Sequence, residues 1–104
     1  MKERNELVSN TPENLEQVIN EELNLFTRKN SDYGNSFEKA LDEDGLLVAK
    51  IRLGDKFNRF ATLLKKSGVT EVKDESMRDT LMDLATYAHM TILWMDKLKE
   101  NGTD

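Results

Sequence analysis

The chain has 104 residues, of which 38 % are hydrophobic and 34 % charged, with a formal net charge of -5, which suits one domain with a modest core. With no cysteine and one histidine it carries neither a disulfide framework nor a thiolate or multi-histidine zinc site. The acidic balance argues against a general nucleic-acid binder, which shows a basic face that neutralises phosphates, and neither a membrane-length apolar run nor a signal-peptide pattern is present, so a cytoplasmic chain is expected.

Residues 1–10, "MKERNELVSN", are polar and aperiodic and read as a flexible or loosely docked arm before a single domain over residues 11–100. In "TPEN", Thr11 is an N-cap and Pro12 a first helical residue whose missing N–H costs nothing. The helix that follows places Leu15, Val18, Ile19 and Phe26 on one face and is expected to end near Lys29, where "KNSDYGN" gathers turn formers. A short helix is expected next, with Asn35 and Glu38 as a variant capping box and Gly45 as its stop. A third helix, from about Leu46 to Lys66, has Ala49, Leu53, Phe57, Phe60, Ala61 and Leu64 on one face. After the loop "SGVTEVK", a last helix from about Glu75 to Lys99 offers Met77, Leu81, Leu84, Ala88, Ile92 and Met95 as its core stripe. No segment alternates as a strand would. The fold class is therefore all-α, a small bundle of three long helices and one short one.

Several charges sit where solvent does not explain them. Glu22 falls within the apolar stripe between Ile19 and Phe26, whereas Glu21 points away, and a carboxylate aimed at a core is costly unless it is paired or bound to a cation. Asp79 and Asp83 lie inside the last helix one turn apart, beyond help from the helix dipole and repelling each other. Arg52, Lys56 and Arg59 form a cationic stripe on the third helix. Antiparallel packing can set the acidic and basic stripes across one cleft, either as plain interhelical salt bridges or as the walls of a site for metal and phosphate. Lys29, Asp32, Tyr33 and Ser36 in "KNSDYGNSF" add polar and aromatic groups beside a glycine, in the kind of segment where binding sites are built. His89 lies toward the solvent side of its helix. Met82, Met90, Leu93 and Trp94 lie off the core stripe, and a second apolar surface of this kind points to a homo-oligomer.

"KNSDYGNSF", "KIRLGDKFNRFATLLKK" and "DESMRDTLMDLATYAHM", in that order and spacing, resemble the phage-type nucleotide modification associated domain, type 1. The resemblance covers residues 24–95 and implies a small helical protein of phage or prophage origin, working in the cytoplasm of a bacterial host and linked to nucleotide metabolism. More distantly the chain is similar to the MazG-type all-α nucleoside triphosphate pyrophosphohydrolases, which hold magnesium with a Glu-Glu-x-x-Glu segment and a Glu-x-x-Asp segment. Glu21 and Glu22 match the first pair, but Leu25 stands at the third position, and Glu75, Asp79 and Asp83 are spaced by fours.

Two functions follow as expectations. One is Mg2+-dependent hydrolysis of a nucleoside phosphate, with Glu22, Asp79 and Asp83 as metal ligands and catalytic groups and with Lys29, Asp32, Tyr33, Ser36, Arg52, Lys56 and Arg59 holding the nucleotide. The other is a non-catalytic nucleotide-binding protein, a sponge or accessory subunit, in which the same basic residues and Tyr33 bind and the carboxylates orient arginines. Neither involves a membrane or direct contact with nucleic acid.

Overall fold

A computed structural model describes residues 7–67 and 75–102, with the side chains of residues 30–33 and 67 left out of the description. Three helices and no strand occur among the described residues: α1 (Pro12–Asp44), α2 (Leu46–Ser67) and α3 (Glu75–Glu100). The all-α bundle is as the sequence implies, and so is the start of α1. Thr11 has extended backbone (φ -121°, ψ 156°) and its hydroxyl accepts from the Asn14 N–H at 3.1 Å. The buried Asn14 amide donates to the Ser9 carbonyl at 3.0 Å, tying the preceding residues to the first turn.

One break in the expected pattern is absent: the segment read as a loop between two helices is helical, and α1 continues for 33 residues through "KNSDYGN". Asn, Ser, Asp and Gly each cost at most about 1 kcal/mol in a helix interior relative to alanine. The apolar stripe stays in phase across them, because Phe26 and Phe37 are three turns apart and Leu41 follows one turn later. Phe37 and Leu41 are buried and Phe26 packs against the same cluster, so tertiary contacts on both sides of the weak segment hold it helical.

A single residue, Gly45, joins α1 to α2. Its φ of 72° is left-handed, and its N–H donates to the Leu41 carbonyl at 2.8 Å, which caps α1 and turns the chain at once. Phe37, Leu41, Ala49 and Met90 form the buried cluster where α1, α2 and α3 meet, with Val48, Tyr87 and Trp94 packed around it. The Phe37 and Tyr87 rings meet edge to face, with centroids 4.9 Å apart.

The side of α3 expected to face the core is instead its open side. Of its residues Leu81, Ile92 and Met95 are about half exposed and Met77, Leu84 and Ala88 are half-buried, while Thr80, Met82, Thr86, Met90 and Thr91 are buried. Threonine reads as a surface residue in a helix, but each of these hydroxyls is satisfied within α3: Thr80 donates to Ser76 O at 2.7 Å, Thr86 to Met82 O at 3.0 Å and Thr91 to Tyr87 O at 2.7 Å. A threonine whose hydroxyl is satisfied in this way costs little to bury, and the Thr80 oxygen also accepts from Arg59 of α2. Met82 and Met90, expected outside the core, are therefore in it. Leu15, Ile19 and Phe57, expected as core residues, are exposed.

Leu41→Ala should cost about 2–5 kcal/mol through the cavity it leaves at the three-helix junction. Gly45→Ala should cost about 1–3 kcal/mol through its backbone alone, since φ 72° with ψ -161° is a conformation nearly confined to glycine and a Cβ there meets no atom within 4 Å. Urea unfolding at one fixed protein concentration measures both, and the reverse ranking would contradict this junction.

Candidate functional site

Glu22 is nearly buried on α1, as its position in the apolar stripe requires. Its partner is the one histidine: Glu22 Oε2 and His89 Nδ1 lie 2.6 Å apart. The carboxylate reaches α3 at a point where His89 is largely exposed, so the imidazole covers the charge from one side and leaves its own Nε2 for another partner. A carboxylate on Nδ1 fixes the ring's tautomer and orientation. The pair stands at the edge of a groove of about 400 Å³ between α1 and α3, walled by Ile19, Leu23, Phe26, Thr86, Met90 and Leu93. Helical periodicity alone assigns His89 to the solvent side, because the groove it borders is built by α1.

A second lobe of about 170 Å³ shares Phe26, Met90 and Leu93 with the first and continues toward the C-terminal ends of α1 and α3, where Asn35, Phe37, Glu38, Trp94 and Lys97 line it. The two lobes make one cleft. From His89 to Lys97 it follows α3 for about 12 Å. Its far end is clamped by side chains: Trp94 Nε1 donates to Asp42 Oδ1 at 2.9 Å, and Lys97 Nζ donates to Glu38 at 2.6 Å and to Asp42 at 3.2 Å. The indole hydrogen bond, then that of Lys97, holds the Asp42 carboxyl below its usual 3.8. Glu38, then Asp42, raises the Lys97 ammonium above its usual 10.5.

The stripes read on α2 and α3 do meet, but on another side of α3 and as ordinary pairs. Lys56 Nζ lies 3.4 Å from Asp83 and 5.7 Å from the centre of the Tyr87 ring, and Arg59 Nε donates to Thr80 Oγ1 at 3.2 Å. Arg52 and Asp79 are exposed. Glu21, expected to point away, takes both ends of the Arg78 guanidinium at 2.5 and 2.8 Å, and these hydrogen bonds raise the Arg78 pKa above its usual value. None of Arg52, Lys56 and Arg59 lines the α1–α3 cleft. Lys29 and Ser36 are exposed on α1, and the side chains of Asp32 and Tyr33 lie outside the described residues. With Glu22 on His89 and Asp83 on Lys56, the expected metal triad is not assembled: among the described residues no three of Asp, Glu and His lie close enough to hold an ion. These residues do not fit a magnesium site made by this chain alone, and no step is drawn through one.

The sequence matches the model of the family described as nucleotide modification associated domain 1 over residues 29–95, more than half of the chain. The chain belongs to that family. The matched segment supplies Asn35, Phe37 and Trp94 to the cleft, whereas Glu22, Phe26 and Lys97 lie outside it. No curated protein and no solved structure matches the chain. None of the described helices is long and apolar enough to cross a membrane.

Two outcomes check the electrostatics of this family member. The depressed Asp42 carboxyl stabilises the fold at pH values above its unfolded pKa, and that contribution is lost as pH falls through the lower folded value. Emission from Trp94, the chain's single tryptophan, should therefore titrate with a midpoint below 3.8, and Asp42→Ala should abolish that titration. Asp83→Ala should cost under about 1 kcal/mol in thermal or urea unfolding, because the Lys56 partner it releases reaches water. A loss several times larger would show that the pair is buried.

Proposed function

We propose that this nucleotide modification associated domain binds a nucleoside phosphate in the α1–α3 cleft. The observation that carries the reading is the composition of the cleft: aromatic and apolar walls from Phe26, Phe37, Met90 and Trp94, with polar groups confined to its ends. Small-molecule sites have this make-up, with volumes of roughly 300–1,000 Å³, and the groove of about 400 Å³ falls in that range. In this proposal the base enters the aromatic lobe. There the Asn35 amide donates and accepts at the base edge, and the Glu38 carboxylate accepts from an exocyclic amine, the pairings that discriminate bases in general. The sugar and phosphate run toward His89 Nε2, past the level of exposed Lys29, which stands on α1 one turn from Phe26 on the Asn35 side and reaches in from the rim as the cation. The family description supports nucleotides as the ligand class. Magnesium enters as a counter-ion of the nucleotide phosphates, not as an ion held by Glu22, Asp79 and Asp83.

The Glu22–His89 pair favours a second reading, nucleotide hydrolysis of the kind the pyrophosphohydrolases perform. Held by Glu22 on its Nδ1 side, His89 can take a proton at Nε2 from a water that attacks the α-phosphorus, while the departing pyrophosphate carries away the electrons of the broken P–O bond.

The test is a panel of nucleoside mono-, di- and triphosphates, with and without Mg2+, read by thermal shift for binding and by chromatography for products. Under the binding reading at least one nucleotide raises Tm. Asn35→Ala or Lys29→Ala then weakens its binding about tenfold, and Arg52→Ala, away from the cleft, leaves it unchanged. Products that vanish in His89→Asn would establish the second reading. A panel that shifts nothing, or binding lost with Arg52 and kept without Asn35 and Lys29, would overturn the cleft as the site.

A further inference from the structure

The open side of α3 is apolar over five turns. Met77, Leu81, Leu84, Ala85, Ala88, Ile92 and Met95 share it, the first, third, fourth and fifth of them half-buried, and no charged residue interrupts it between positions 77 and 95. Leu81 is 45 %, Ile92 53 % and Met95 48 % exposed. Beside them on α2, at the level fixed by the Lys56–Asp83 pair, Phe57 is 60 % exposed. Together these four leave on the order of 400 Å² of apolar surface in water, close to the apolar share of the roughly 800 Å² that one partner contributes to a standard interface. The described buried apolar core, by comparison, consists of Phe37, Leu41, Ala49, Met82 and Met90.

The order of sizes along this seam says what covers it. Leu81, Ala85, Ala88, Ile92 and Met95 follow one another at spacings of four, three, four and three residues, the heptad spacing of a helix that packs along another helix. When a second α3 is laid antiparallel with Ala88 on the two-fold axis, Ala88 meets Ala88, Ala85 meets Ile92, and Leu81 meets Met95. Small residues lie at the centre, where the helices approach most closely, and each remaining small or branched side chain faces a larger or flexible one. A surface that complements its own copy turned end for end is what an isologous dimer requires. Arg78, on the flank of this seam, is already paired with Glu21 of its own chain, so the seam is closed by apolar contact and not by a charge pair across the rim.

We propose that two copies of this chain dimerise through antiparallel packing of α3 on α3 about Ala88, with the α2 helices and Phe57 closing the sides, so that the α1–α3 clefts stay open on the outer faces. The surface differs from the one expected around Met82, Met90, Leu93 and Trp94, of which the first two are buried within the chain.

Because the chain has no cysteine, single cysteines report the arrangement directly. Light scattering of the wild type should give a dimer at tens of micromolar, roughly the range in which weak dimers dissociate. Ala88→Cys should form a disulfide-linked dimer under mild oxidation, since a residue on the axis lies against its own copy. Leu93→Cys, exposed on the cleft side of α3, should stay monomeric in the denaturing gel. Ala88→Glu, which sets two like charges on the axis, should shift the protein to monomer, with circular dichroism confirming its helices. A wild-type monomer at that concentration, or a dimer that cross-links in the Leu93→Cys variant and not in the Ala88→Cys variant, overturns the proposal.

Discussion

Leu41 is 1 % exposed and is the described residue most completely surrounded, and the arrangement of the molecule follows from how it becomes so. Its carbonyl accepts the N–H of Gly45, so α1 stops within a turn of it and α2 starts from the next residue. That corner brings Ala49 back onto Leu41 and Phe37. Met90 closes the cluster from α3, and Tyr87 sets its ring edge against Phe37. A one-residue connection has no slack, so a glycine at positive φ is needed at the corner itself. The direction in which α1 leaves the junction is then fixed, and with it the line along which α1 crosses α3.

That crossing gives α3 three different sides. Toward α1 it presents Met82, Thr86 and Met90; toward α2 it presents Thr80, Asp83 and Tyr87; the third side holds the leucine, isoleucine and methionine stripe. The buried threonines make this division possible, because each returns its hydroxyl to its own helix, and Thr80 also accepts from Arg59 of α2. The most apolar side thereby remains free for an intermolecular contact, and the more polar sides form the contacts within the chain. In a domain this short, whose own buried core is modest, placing the strongest apolar stripe between copies is one way to reach a stable fold. It also keeps the proposed α3 interface on a different side from the proposed nucleotide cleft.

The charges sort by the same geometry. The Lys56–Asp83 pair is half-buried and the Glu21–Arg78 pair lies nearer the surface, and both reach water and orient the helices without much net stabilisation. Glu22 is different because α1 carries it into the crossing, where burial makes a partner necessary. An imidazole meets that need while keeping a second nitrogen available at the edge of the cleft. This gives the family member a polar end to an otherwise apolar groove.

The sequence by itself determined the class of fold, the N-cap at Thr11, the stop at Gly45 and the burial of Glu22, because each rests on local spacing or local backbone chemistry. It also carried the family, through three ordered segments that all lie within the matched residues 29–95. The helicity of "KNSDYGN" was decided only in the tertiary structure: local propensity favours a turn, and contacts of Phe26 on one side with Phe37 and Leu41 on the other outweigh it. The inward side of α3 was decided there too. Periodicity reports that an apolar stripe exists, but whether the stripe meets its own chain or another copy depends on where α1 lies. The partners of Glu22 and Asp83 were likewise out of reach of the sequence, since an ion pair depends on the crossing of two helices, and that crossing is set by the one-residue corner at Gly45 and the burial of Leu41.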